Sequence, residues 1–285
     1  MNTTNSKPDG KKGGSYKDLA QRAFSAAILA AIALALTIFS QWAFATLIVI
    51  GSIILAWEWD KITSDNPGNA HFWIHVIATF AACILAAFGE ISYAVACILI
   101  GCALTALIAQ NTTSRAWAAT GILYLGAATV LLIELRNDPD YGLLAILLIF
   151  VVVWSADITA YFFGRSLGGP KLAPKISPGK TWSGCAGGLI GPAVMVWIFA
   201  SFYKMESPYT LVALSIVLAL ASQTGDLIES AIKRRFDVKD SGNILPGHGG
   251  LFDRVDGLIG AVLAAGFLAF CRSGTISPRA LLLWG

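Results

Sequence analysis

Charge is scarce in this chain. Asp, Glu, Lys and Arg make up 13% of its 285 residues against 56% hydrophobic ones, and the mean hydropathy is +0.69. A soluble domain carries roughly 25% charged residues, so a water-covered surface is excluded. A separate soluble catalytic domain is excluded as well. At roughly 20 apolar residues per span, nine or ten spans with short turns use up the chain. Cysteine is little used: Cys83, Cys97, Cys102, Cys185 and Cys271 are scattered, with no CxxC pair and no metal-ligand spacing, which leaves neither a disulfide framework nor a zinc site. No internal repeat is visible. The net charge of +3 is mild, and basic residues in such a chain report topology and not a nucleic-acid partner.

What is present is a series of apolar runs at 24–41, 42–58, 72–89, 91–109, 116–134, 142–163, 182–203, 210–229 and 251–271. They predict an all-α, polytopic membrane helix bundle of about nine spans in a lipid bilayer. Residues 1–23, polar, Gly-rich and basic, read as a disordered cytoplasmic tail. Residues 24–285 read as a single integral membrane domain, with N-terminal spans over 24–134 and a catalytic half over 142–271. With the N-terminus inside, the 20 Lys and Arg residues fall on the inner side except Arg136, Lys204, Arg272 and Arg279. This bias predicts a cytoplasmic N-terminus, an external C-terminus, and cytoplasmic polar loops at 164–181 and 230–250. Trp42, Trp57, Trp59, Phe72, Trp73 and Trp117, at run ends, read as interfacial belts, and His71 and His75 as interfacial residues.

Ionisable residues inside or at the edge of spans carry the functional signal. Asp157 lies in the sixth run, Asp226 and Glu229 in the eighth, and Asp253, Arg254 and Asp256 open the ninth. Each such charge costs about 2.5–3.5 kcal/mol near a bilayer centre, so something cationic must offset the group. Asp226, Glu229, Ser230 and Lys233 share one helix stripe, and Asp253, Asp256, Gly257 and Gly260 repeat its offsets on the next helix. The glycines would let the two backbones come close. Facing carboxylates suit a hard divalent cation such as Mg²⁺; the alternative is structural ion pairing with Lys233, Arg234 or Arg254.

Two loops supplement the carboxylates. Residues 164–181 combine four basic residues with Gly and Pro, which suits an anion. Gly179-Lys180-Thr181 fails as a Walker A loop because Pro174 replaces the first glycine and no strand is expected before it. Pro246-Gly247-His248-Gly249-Gly250 makes a turn whose bare backbone can approach phosphates. His248 reads either as a general acid or as a turn residue.

The segment Ser230, Lys233-Arg234, Lys239-Asp240 and Gly242, followed by Pro246-Gly247-His248-Gly249-Gly250-Leu251, Asp253-Arg254 and Asp256, resembles the signature of the phosphatidate cytidylyltransferases, or CDP-diacylglycerol synthases. Ser155-Ala156-Asp157 with Gly164-Arg165, and Lys175-Ile176-Ser177-Pro178-Gly179-Lys180-Thr181, also look like that family. Two positions depart from it: Ile158-Thr159 where many members have Thr-Gly, and Ser183 where many have an acidic residue. The resemblance implies a polytopic, homodimeric enzyme of the bacterial inner membrane. It would join CTP to phosphatidate, giving CDP-diacylglycerol and pyrophosphate with Mg²⁺, and it admits a monovalent cation such as K⁺. It further implies Asp226, Asp253 and Asp256 as metal ligands and Asp226, Lys239, Asp240, Asp253 and Asp256 as catalytic residues. Lys175, Ser177, Lys180, Thr181, Ser230, Lys233, Arg234, His248, Gly249 and Gly250 would bind substrate.

Three other functions compete. An ion-coupled transporter would also bury carboxylates among helices, but it predicts inverted repeats and does not explain basic loops gathered on one side. A lipid phosphatase would need a second catalytic His after an Arg. A CDP-alcohol phosphotransferase would need a denser spread of Asp on adjoining helices.

Overall fold

A computed structural model describes residues 28, 30–108, 112–242 and 249–284. The expected tail over 1–23 and His248 lie outside these residues. The described part of the first run forms helix α1 (Ala30–Phe39). It is followed by α2 (Gln41–Thr63), α3 (Ala70–Ala87), α4 (Ile91–Ile108), α5 (Thr112–Asn137) and α6 (Gly142–Leu167). Strands β1 (Lys171–Ala173) and β2 (Ser177–Thr181) then precede α7 (Trp182–Phe202), α8 (Pro208–Arg235), α9 (Phe252–Ser273) and the short α10 (Pro278–Leu282). Eight of these, α2 to α9, are long and apolar enough to cross a bilayer. The protein is an all-α polytopic membrane bundle, as its hydropathy predicts.

Lipid offers no partner to a backbone amide, so each apolar run closes its hydrogen bonds within itself. The sequence also marks the ends. The Ser40 hydroxyl accepts from Ala43 N, the Asn69 side chain from His71 N and Phe72 N, and the Thr181 hydroxyl from Gly184 N, capping α2, α3 and α7. Gly168 at φ 62° ends α6 and Gly274 at φ 72° ends α9, where a side chain would be strained.

Two buried apolar clusters hold the bundle. One joins α2 and α5 to α6–α9 through Leu55, Leu125, Ile149, Leu218 and Val262; the other joins α2 and α5 to α3 and α4 through Ala45, Ile122, Ala82 and Ile98. Helices α2 and α5 therefore tie the N-terminal spans to the C-terminal half. Trp59, expected in an interfacial belt, is 1% exposed. It packs on Trp117, Tyr124 and Phe252 and donates its indole N–H to Trp117 O at 2.9 Å. The end of an apolar run looks interfacial in sequence, yet neighbouring helices cover this one. His75 is likewise buried. It lines, with Asp60 and His71, a cavity of about 490 Å³ between α2, α3 and the adjoining helix ends, which no predicted site residue borders.

Helices joined by short turns alternate in direction. The ends of α2, α6 and α8 thus meet the starts of α3, α7 and α9 at one end of the bundle, with the β-hairpin over 171–181. That hairpin is an addition to the expected loop: β1 and β2 pair antiparallel, Lys171 opposite Thr181.

At the other end, Arg279 of α10 donates to Asp138 and Asp140 in the α5–α6 turn and lies over the Tyr141 ring. Burial raises the Asp138 carboxyl, but the Tyr141 and Asp140 amides and the Arg279 guanidinium outweigh it and hold the group below the usual carboxylate range. A depressed carboxyl contributes stability above its unfolded pKa and loses it as pH falls through the folded value. Hydrogen exchange of segment 278–284 should therefore stay slow at neutral pH and quicken on acidification. Arg279→Ala should show the fast rate at both pH values.

Candidate functional site

Helix α8 continues to Arg235, past the apolar run that ends at residue 229. Ser230 and Lys233 stand on its last turns, as the stripe they share with Asp226 and Glu229 expects, and Arg234 beside them; cations there also suit the helix C-terminus. Helix α9 starts at Phe252, so Asp253 and Asp256 fall in its first two turns.

Glycine sets how closely α8 and α9 approach. A Cβ on Gly260 would lie 2.2 Å from Ala221 O, one on Gly225 would lie 2.4 Å from Asp256 O, and one on Gly257 would lie 2.7 Å from Ser222 Oγ. The backbones touch where any side chain would wedge them apart. This contact brings one carboxylate oxygen each of Asp226, Glu229 and Asp256 within 4.8 Å of one another. Like charges at roughly 5 Å repel by about 3 kcal/mol per pair at an effective dielectric near 20, so the arrangement calls for cations.

Two lysines answer that demand. Lys180 Nζ, from the end of β2, lies 2.6 Å from Asp226 Oδ2. Lys233 Nζ lies 2.7 Å from Glu229 Oε1 and 2.7 Å from Asp253 Oδ1, bridging α8 to α9. Ser230 Oγ donates to Asp226 Oδ1 at 3.4 Å. Asp157, exposed on α6, is within Coulombic reach of Asp226 and Lys180. The carboxylates that meet are thus Asp226, Glu229 and Asp256. Asp253, grouped with the metal ligands by its sequence resemblance, has its carboxylate engaged by Lys233 Nζ, Ser241 N at 3.0 Å and Gly250 N at 2.9 Å. Hard carboxylate oxygens from three side chains fit a divalent cation such as Mg²⁺, which takes one or two carboxylates along with water and substrate phosphate.

The remaining predicted residues surround this centre. Arg234 Nε and Nη1 donate at 3.4 Å to Ile176 O and Val238 O, holding the hairpin turn against the end of α8. Lys175, Lys239 and Asp240 are exposed at the same end. Ser177 opens β2. Thr181 is buried, and its hydroxyl caps α7. Gly249, at φ +83°, has no room for a Cβ, which would lie 2.7 Å from Asp253 Oδ2.

Sequence reasoning missed Glu58. It stands near the end of α2, fully buried, and its carboxylate accepts from Leu251 N at 2.8 Å, Phe252 N at 2.7 Å and Ser241 Oγ at 3.2 Å. The available signal was a lone Glu between Trp57 and Trp59 at the end of an apolar run, which matches an ordinary interfacial residue.

The sequence model of the cytidylyltransferase family matches residues 20–272. The chain belongs to the cytidylyltransferase family. It is 39% identical over 249 residues to a phosphatidate cytidylyltransferase of Brucella abortus, covering 86% of this chain and 90% of that protein. It is 34% identical over 280 residues to the Haemophilus influenzae protein of the same name, covering 86% and 96%. With the one from Bacillus subtilis it shares 49% identity over 138 residues, about half of each chain.

The two departures from the family pattern have local accommodations. The Thr159 side chain fills the space over Gly191 of α7, where a Cβ would lie 2.3 Å from its Oγ1, and that hydroxyl donates to Ser155 O at 2.6 Å. Ser183 donates to Gly168 O and shares a hydrogen bond with Thr181 Oγ1, fastening α7 to the end of α6.

Proposed function

We propose that this membrane protein condenses CTP with phosphatidate, giving CDP-diacylglycerol and pyrophosphate. The observation that carries the reading is the meeting of Asp226, Glu229 and Asp256 beside Lys180 and Lys233, at the end of the bundle that gathers the basic hairpin and the end of α8. A phosphate oxygen of phosphatidate attacks the α-phosphorus of CTP. The bond from that phosphorus to the oxygen bridging to the β-phosphate breaks, and pyrophosphate leaves with the electron pair. A phosphate monoester with a second pKa of about 6 is already a dianion at neutral pH, so no protein nucleophile or strong base is needed. Positioning and charge neutralisation do the rest.

Asp226, Glu229 and Asp256 would hold Mg²⁺. When bound, such a cation supplies electrostatic stabilisation of negative charge on phosphate oxygens. Asp253, with Asp240, acts in catalysis by fixing the basic groups around it. Lys180 and Lys233 release part of their hold on the carboxylates to meet the phosphates. Lys175, Arg234 and Lys239, with the Gly249-Gly250 backbone and His248, complete the anion site, and Ser177, Thr181 and Ser230 shape its wall. A K⁺ ion as second cation and a homodimer, both implied by the family resemblance, belong to the same reading. So do residence in a bacterial inner membrane and a cytoplasmic face for this end of the bundle, which would put the site where CTP is dissolved.

Detergent-purified protein given labelled CTP, phosphatidate and Mg²⁺ should release pyrophosphate and form a lipid nucleotide, and EDTA should stop both. Ion flux across proteoliposomes without nucleotide turnover would overturn the reading in favour of a transporter.

A further inference from the structure

Helix α9 carries Asp253 and Asp256, yet it begins without a cap of its own: Leu251 at its N-cap offers no side-chain acceptor. The first amides of a helix need one. They find it in another part of the chain. Glu58, 193 residues before Leu251 and on a different helix, accepts from Leu251 N through Oε1 and from Phe252 N through Oε2, and Oε2 also takes the Ser241 hydroxyl.

The fit around this carboxylate is close. A Cβ on Gly250 would lie 2.0 Å from Ser241 Oγ and 2.6 Å from Glu58 Oε1, and one on Gly242 would lie 2.9 Å from Oε1. Ser241 and Gly250, which enclose Glu58, are also the residues whose amides bind Asp253. A fully buried carboxylate is expensive unless its oxygens are satisfied. Here the helix N-terminus, with its partial positive charge, is what satisfies them. Among the described residues the hydrogen bonds of Glu58 go to Leu251, Phe252 and Ser241, so its reach to the site is through α9.

We propose that Glu58 is a positioning residue for the carboxylate site: by capping α9 from α2 it fixes the helix start whose next turn presents Asp256 to Asp226 and Glu229. This rests on the reading of those three carboxylates as a divalent-cation site. The first apolar cluster, through Leu55, Trp59 and Ile62 of α2, holds this helix against the C-terminal half.

Glu58→Gln tests it. The amide keeps the shape but replaces one acceptor oxygen by an NH₂ group that would face a backbone N–H. Two readouts are taken on the full chain in detergent: Mn²⁺ binding followed by electron paramagnetic resonance, and hydrogen exchange of segment 249–256. Support for a metal ligand is typically worth 10–100-fold in affinity, so Mn²⁺ should bind about tenfold more weakly in Glu58→Gln. Exchange over 249–256 should quicken while that of α6 stays unchanged. Ser241→Ala, which removes one hydrogen bond to Glu58 and leaves the amide caps, should shift both readouts in the same direction by less. If Glu58→Gln aggregates, Ser241→Ala carries the test. Wild-type Mn²⁺ affinity or wild-type exchange in the folded variant overturns the proposal. Absence of Mn²⁺ binding in the unaltered protein overturns the carboxylate reading itself.

Discussion

Asp226→Asn and Asp256→Asn should each lower kcat by about 10²–10³-fold, the usual loss when one preorganised charge-stabilising group is removed from a phosphoryl-transfer site. Both should weaken Mn²⁺ binding. The physical ground is the shared position of the oxygens: Asp226, Glu229 and Asp256 lie within 4.8 Å, so loss of one leaves an incomplete set of hard ligands. Asp253→Asn separates two roles. Its carboxylate already takes Lys233 Nζ, Ser241 N and Gly250 N; Asn keeps one acceptor oxygen but loses the charge opposite Lys233. That variant should lose most of its turnover while Mn²⁺ affinity stays near the unaltered value. Loss of Mn²⁺ binding as severe as in Asp256→Asn would return Asp253 to the ligand set. Normal turnover in Asp256→Asn would remove the cluster from the mechanism.

Much of the bundle is legible in the sequence. In lipid a spanning segment must be a helix, so hydropathy and turn residues place α2 to α9, although α2 and α8 continue past the apolar runs to Thr63 and Arg235. The offsets of Asp226 with Glu229 and of Asp253 with Asp256 also fix which residues share a stripe. Helix rotation was not legible. It selects Asp256 over Asp253 for the meeting with Asp226, and it follows from backbone contacts at Gly225 and Gly260 that no hydropathy window records. Glu58 was hidden for a different reason. Its partners are backbone amides of Leu251 and Phe252, which have no sequence signature of their own. The β-hairpin was hidden by its composition, since Pro and Gly over 168–181 signal a loop as readily as a two-stranded turn.

The glycine contact gives the second large effect, and it can be dissected by what each added atom would strike. Gly260→Ala puts a Cβ 2.2 Å from Ala221 O and Gly225→Ala puts one 2.4 Å from Asp256 O. Both obstacles are backbone, so no change of side chain relieves them and α8 must move from α9. Overpacking of this kind costs about 1–3 kcal/mol. A shift of even 1 Å at the carboxylates lowers turnover by about 10²-fold. Gly257→Ala differs, because its Cβ meets the Ser222 side-chain oxygen at 2.7 Å. Thermal unfolding in detergent together with kcat should show Gly260→Ala and Gly225→Ala impaired in both. Gly257→Ala should be impaired alone but restored by Ser222→Ala, which removes the obstructing oxygen. Full activity in Gly260→Ala would mean that the helices tolerate separation and that their contact does not set the carboxylate geometry.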